Sequence, residues 1–311
     1  MSELLGQSVG TPGLWLGFLG LIAALLVLDL GVFQKKIHGV HFKTSLILSI
    51  FWVSLGLLFS VLVYHWFGSE RALEYLTGFV LEKALSVDNL FVFLVIFSYF
   101  AVPAHLQHRA LFWGILGALI MRAVFIFAGT ALLHAFHWVM YVFGGFLILT
   151  GAKLLFSDDE QMEPEKNPVL KLFKRFIPLV QSYESERFFV RQQGKWLATP
   201  LLMVLVVIET TDVVFAVDSI PAVLAVTTDP FIVYTSNIFA ILGLRALYFL
   251  LASVMQRIHY LKAGLAFVLA FVGVKMLIAD WYKIPIGVSL AVVAGLLGLA
   301  VLASILRTKT V

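Results

Sequence analysis

Long apolar runs separated by short polar breaks dominate the chain. Runs long enough to cross a bilayer, roughly 20 residues each, fall at about 14–34, 44–64, 73–99, 109–133, 138–156, 199–225, 231–254, 261–280 and 284–306. They predict an all-α fold, a polytopic transmembrane bundle of about nine helices forming one transmembrane domain over 1–311. A cleavable signal peptide carries positive charge in front of its apolar run. Here Lys35 and Lys36 follow the first run, so that run is expected to stay in the mature protein. The long polar connection is 157–198. It opens Ser157-Asp158-Asp159-Glu160-Gln161-Met162-Glu163-Pro164-Glu165 and then turns basic and aromatic. It reads as a solvated cytoplasmic loop with a short surface helix, the alternative being an acidic lure for cations.

Composition strengthens the membrane assignment. The chain is 61% hydrophobic and 13% charged, against about 45–50% and 25% for soluble domains. That excludes a cytosolic enzyme, a disordered chain and a free nucleic-acid binder. The net charge of +4 is explained by topology. With the 34–43 loop inside, 15 Lys and Arg collect on the cytoplasmic side and 2 (Arg71 and Lys283) outside. The positive-inside bias therefore predicts an outside N-terminus and an inside C-terminus. With no Cys, disulfides, thiolate metal sites and thiol nucleophiles are all absent.

Two segments repeat. Glu82-Lys83-Ala84-Leu85-Ser86-Val87-Asp88-Asn89 in the third run matches Asp212-Val213-Val214-Phe215-Ala216-Val217-Asp218-Ser219 in the sixth, with an offset of 130 at both acids. Arg122-Ala123 matches Arg245-Ala246 at offset 123, and Gly151-Ala152-Lys153 matches Gly273-Val274-Lys275 at offset 122. Spans 3–5 (about 73–156) and 6–8 (about 199–280) thus form two three-helix repeats. Three being odd, the second enters the membrane from the opposite side, the architecture of many secondary transporters.

Ionisable residues are rare in spans and normally pair, face a cavity or bind an ion. Asp29, near the end of the first run beside Lys35 and Lys36, reads as a snorkelling or topology residue. Glu82, Asp88, Glu209, Asp212 and Asp218 cluster in the two matching helices. Lys83, Arg122 and Arg245 can balance or gate three of these five acids, leaving two for protons, hydroxyl donors or a cation. Glu82, Ser86 and Asn89 share one helical face, and Ser219 follows Asp218. Pro221 cannot donate to the Val217 carbonyl. The candidate metal set is therefore Glu82, Asp88, Asn89, Glu209, Asp212, Asp218 and Ser219. All are oxygen donors, which suit Mn²⁺, Mg²⁺ or Ca²⁺ over Cu or Zn. No HExxH, GxSxG, P-loop or strand-bound GxGxxG occurs, so no enzyme chemistry or ATP drive is expected. The expected partners are a divalent ion, protons and the lipid bilayer, with no organic cofactor.

Four stretches resemble the TerC family: Glu82 to Phe93, Phe215 to Ala222, Thr227 to Val233 and Ser236 to Tyr248. The likeness runs over about residues 10–306 and is nearest to the Alx-type bacterial members. It implies a bacterial inner-membrane protein of the LysE-type transporter group, whose members are linked to manganese export, tellurite resistance and alkaline pH. The family's motif acids correspond to Glu82, Asp88, Asp212 and Asp218, with Glu209 just upstream. The expectation is a Mn²⁺ exporter coupled to protons through Glu209 or Glu82. The alternatives are export of another divalent cation such as Ca²⁺, or a non-transporting scaffold or stress-response protein.

Overall fold

The computed structural model describes residues 8–35, 42–136, 138–156, 183, 187–192, 195–254 and 260–308. The chain is mostly helical: α1 (Pro12–Lys35), α2 (Phe42–Tyr99), α3 (Ala104–Ala135), α4 (Val139–Phe156), strands β1 (Phe189–Gln192) and β2 (Lys195–Ala198), then α5 (Pro200–Leu224), α6 (Pro230–Ile241), α7 (Leu244–Val254), α8 (Leu261–Leu277) and α9 (Ile286–Thr308). Among the described residues, five helices are long and apolar enough to cross a membrane, or six when the bent pair α6 and α7 is taken as one span. The helices α4 and α8 are shorter apolar elements. Large apolar side chains such as Leu16, Val27, Ile47, Leu58, Leu149 and Leu299 are exposed, as expected where the outer surface meets hydrocarbon rather than water.

Two of the predicted spans lie within α2. Its arms meet at Gly68, whose backbone (φ 86°, ψ −179°) is accessible only to glycine. The arms fold back on each other: Phe59 packs against Tyr75 with the rings tilted at 48°, and the Tyr75 hydroxyl donates to the Gly56 carbonyl at 3.1 Å. The predicted span 231–254 is broken instead. Leu242 is extended and Gly243 has φ +82°, and a Cβ at Gly243 would lie 2.5 Å from the Trp52 side chain. Every residue of α6 is buried, so both of its ends need partners. Asp229 caps the start, accepting from the Phe231 and Ile232 amides and from Ser8. At the other end, Lys83 Nζ donates to the carbonyls of Ala240 (2.9 Å) and Leu242 (3.4 Å). Broken backbone is stable inside an apolar bundle only when its freed groups are satisfied this way.

The described part of 157–198 holds a β-hairpin, in which β1 and β2 pair antiparallel, Phe189 opposite Ala198 and Gln192 opposite Lys195; the stretch where a surface helix is expected lies outside the described residues. Two runs of four residues are short for strands, which leaves little alternation in the sequence to announce them. The acidic stretch 157–165 lies outside the described residues.

Small residues set the contact between α4 and α8. A Cβ on Gly144 would meet the Gly273 carbonyl at 2.9 Å, and one on Gly151 would meet the Ala266 carbonyl at 2.7 Å. Gly144 and Gly151 lie 122 positions before Ala266 and Gly273, so the contact is reciprocal: each residue meets the repeat counterpart of the other. Such close backbone approach is how helices associate where hydrophobic driving force is lacking. Gly273→Ala is therefore expected to lower thermal stability in detergent, by about 1–3 kcal/mol for an overpacked contact. Gly145→Ala, with nothing within 4 Å of its Cβ, is the control and should leave the melting temperature unchanged.

Candidate functional site

Four helices bring polar groups together in the interior. On the second arm of α2, Glu82, Ser86 and Asn89 are all buried, because positions i, i+4 and i+7 share a face. Ser86 Oγ donates to Glu82 Oε1 at 3.4 Å. From α3, Arg122 is 1% exposed, and its Nη1 donates to Glu82 Oε1, to Asn237 Oδ1 at 3.0 Å and to Ser219 Oγ at 3.4 Å. Asn237 on α6 returns a bond from Nδ2 to Glu82 Oε2 at 2.9 Å. From α5, Asp212 Oδ1 lies 3.9 Å from Arg122 Nη2.

One guanidinium thus faces two carboxyl groups, one from each of the two matching sequence segments. Asp212 Oδ2 is buried with no hydrogen-bond partner among the described residues, and so is Arg122 Nε. A buried carboxylate oxygen without a donor is costly, because its water is lost and nothing replaces it. The cluster sets two carboxyl groups against one guanidinium and is incompletely satisfied. Among the described residues, no three His, Asp or Glu groups stand close enough to hold a metal ion. The backbones of Asp88 and Asp218 lie in α2 and α5, about a turn and a half beyond Glu82 and Asp212, and their side chains lie outside the described residues.

The remaining predicted residues sit elsewhere. Glu209 lies across Gly117 of α3, where any Cβ would overlap its carboxyl group. It is one turn from Asp212 yet makes no described bond to Arg122. Lys83 is directed to the α6–α7 break and neutralises no carboxylate among the described residues. One residue along a helix is a rotation of about 100°, so it cannot share the face of Glu82. Arg245 pairs with Asp29 of α1 and lies over the Phe112 ring at 5.6 Å. That corrects the expectation for Asp29: it is buried and closes an ion pair to the second repeat instead of snorkelling. The equivalent arginines therefore have different partners, Arg122 inside the repeats and Arg245 on the helix that precedes them.

Residues 67–311 match the integral membrane protein TerC family. The chain belongs to the TerC family. It is 54% identical over 302 residues to a membrane protein of Myxococcus xanthus, covering 97% of this chain and 95% of that one. It is 48% identical over 313 residues to a Photorhabdus laumondii protein (97% and 98% covered) and 47% identical over 301 residues to an Escherichia coli K12 protein (94% and 94%). Both of the latter carry the name membrane-bound redox modulator Alx. No solved structure matches.

In this TerC chain the polar residue missed by the sequence reading is Asn237. Its signal was present: an amide inside an unbroken apolar run must find partners when buried. Asn237 lies outside the two acidic segments and their immediate neighbours, which define the candidate set.

Proposed function

We propose that the protein is a divalent-cation exporter of the bacterial inner membrane, with Mn²⁺ as substrate and protons as counter-ion. The observation that carries this is the convergence of Glu82 and Asp212, equivalent positions of the two repeats, on the single guanidinium of Arg122. A structural ion pair needs one partner for each charge. Here two acids share one base and an oxygen is left over, with Asp88 and Asp218 close by in the chain. In the proposed cycle Arg122 holds the carboxylates while no metal is bound, and the substrate displaces it. Asp88 and Asp218 bind the ion from opposite repeats, completed by Glu82 and Asp212, with Asn89 and Ser219 as neutral oxygens. Glu209 or Glu82 carries the proton, since the same lone pairs cannot hold proton and metal together. An all-oxygen donor set suits Mn²⁺, Mg²⁺ or Ca²⁺.

Alternating access between two inverted repeats across nine crossings fits the reciprocal glycine contact of α4 with α8 and the broken span α6–α7, discontinuous spans being recurrent in secondary transporters. The redox role in the relatives' name cannot run through thiols here, because the chain has no Cys. A non-transporting scaffold is the second reading. It is favoured by the way Arg122 already fills the space between the two acids, and it predicts no change in cellular metal. The deciding measurement is manganese content in a host lacking its own exporters. Expression should lower it several-fold at high external Mn²⁺; equal manganese with and without the protein would favour the scaffold. The N-terminus and the 65–72 loop are placed outside and the 157–198 segment inside by the charge bias. Impermeant thiol reagents on intact cells should label a Cys introduced at 69 and spare one at 175; the reverse pattern would overturn that orientation.

A further inference from the structure

The break between α6 and α7 holds a charge arrangement that the carboxylate cluster does not use. The bent pair consists of helices of 12 and 11 residues, so the break falls near the middle of the run. Ending a helix there leaves the last carbonyls of α6 without intrahelical partners, at the end where the helix dipole places about half a negative charge. Leu242 is extended, Gly243 is left-handed, and every residue of α6 is buried. Trp52, itself 2% exposed, closes over Gly243, which keeps bulk water from solvating these oxygens. Carbonyls of this kind, on unwound backbone and at half-helix C-termini, are what secondary transporters offer to a coupling cation. In this chain a side chain supplies the charge: Lys83 Nζ of α2 donates to the Ala240 carbonyl at 2.9 Å and the Leu242 carbonyl at 3.4 Å.

The chemistry of the oxygens selects the ion. Both are neutral carbonyls, and no carboxylate among the described residues pairs with Lys83. A dipole of about half a charge offsets one positive charge far better than two, so a monovalent ion suits the place and a divalent ion does not. An ammonium group is close to a potassium ion in size and in its separation from carbonyl oxygens. The lysine is also specific to the broken copy. At the offset of 130, Lys83 corresponds to Val213, and at the offset of 123, Ala240 and Leu242 correspond to Gly117 and Leu119. Those two positions lie inside the unbroken helix α3, where carbonyls stay in the helical ladder. A lysine stands opposite the break, and a valine stands opposite the continuous helix.

We propose that the α6–α7 break is a monovalent-cation site, sized for an alkali ion, which the Lys83 ammonium fills as a tethered ion. The chain therefore needs no free alkali ion to hold its broken span together. A lysine that merely caps a helix end differs in one respect: removing it costs stability that no particular salt restores.

The test withdraws the tether and offers the ion. Wild type, Lys83→Ala and Lys83→Ser, each as the full chain in detergent, are melted in the chlorides of potassium, sodium, ammonium and N-methylglucamine. Ionic strength is held constant, so general screening is the same throughout. Wild type should melt at one temperature in all four salts. Both variants should melt lower in N-methylglucamine, and each should regain about 5 °C or more, saturably, as potassium or ammonium replaces it. Variants that melt equally in every salt would overturn the proposal, and so would a wild type showing the same saturable gain. Failure of both variants to fold in any salt would also overturn it, because an emptied cation site is refilled by its ion. None of these outcomes depends on whether the protein exports a metal.

Discussion

Arg122→Gln should cost about 3–5 kcal/mol of stability, the range for stranding buried charge, and should be the most damaging single change in the interior. Glu82 would lose its guanidinium partner while remaining fully buried, and Asp212 would lose its only described ion pair. Glutamine can still bond to one of Glu82, Ser219 or Asn237, but it brings no charge. Arg122→Lys keeps the charge and should fall between, because one ammonium cannot reproduce the planar fork that reaches Glu82, Asn237 and Asp212 at once. Pairing Arg122→Gln with Glu82→Gln should recover part of the loss, since contacting residues are coupled. Thermal unfolding in detergent reads all four proteins. Equal melting temperatures for wild type and Arg122→Gln would mean that the guanidinium is not what balances this cluster.

Asp88→Asn and Asp218→Asn should do the opposite, abolishing export while leaving the protein folded and inserted. The amide is nearly isosteric and easier to bury than a carboxylate. It lacks the anionic charge that offsets dehydration of a divalent ion. If these acids served instead as partners for the interior bases, each Asn variant would strand a cation and lose stability as Arg122→Gln does. Two of those bases already have interior partners of their own: Lys83 holds the α6 carbonyls and Arg122 holds Glu82. Stability and transport should therefore separate: intact melting with no flux at Asp88 and Asp218, lost melting at Arg122.

Helix positions were legible because burying or lipid-facing runs of about 20 apolar residues leave little else for the backbone to do. The repeat offsets located Glu82, Asp212 and Arg122, and helical periodicity placed Glu82 with Ser86. Other features depend on contacts that no local pattern records. The break at Leu242–Gly243 exists because Trp52 closes over the glycine and Lys83 satisfies the freed carbonyls, both from another helix. The Asp29–Arg245 pair joins residues 216 positions apart, and the short run from Asp29 to Lys35 offered a nearer but incorrect explanation. The hairpin was hidden by its length. Two four-residue strands carry too little alternation to compete with the basic, aromatic character of the segment.

Mn²⁺ flux through the purified chain in proteoliposomes, under an imposed pH gradient, tests the central claim most directly. Wild type should move Mn²⁺ against a proton flow and stop when the gradient is collapsed. Asp218→Asn, reconstituted at equal density with an unchanged melting temperature, should show no more flux than empty vesicles. Wild-type vesicles as tight to Mn²⁺ as protein-free ones, or an Asp218→Asn variant that transports at the wild-type rate, would contradict it.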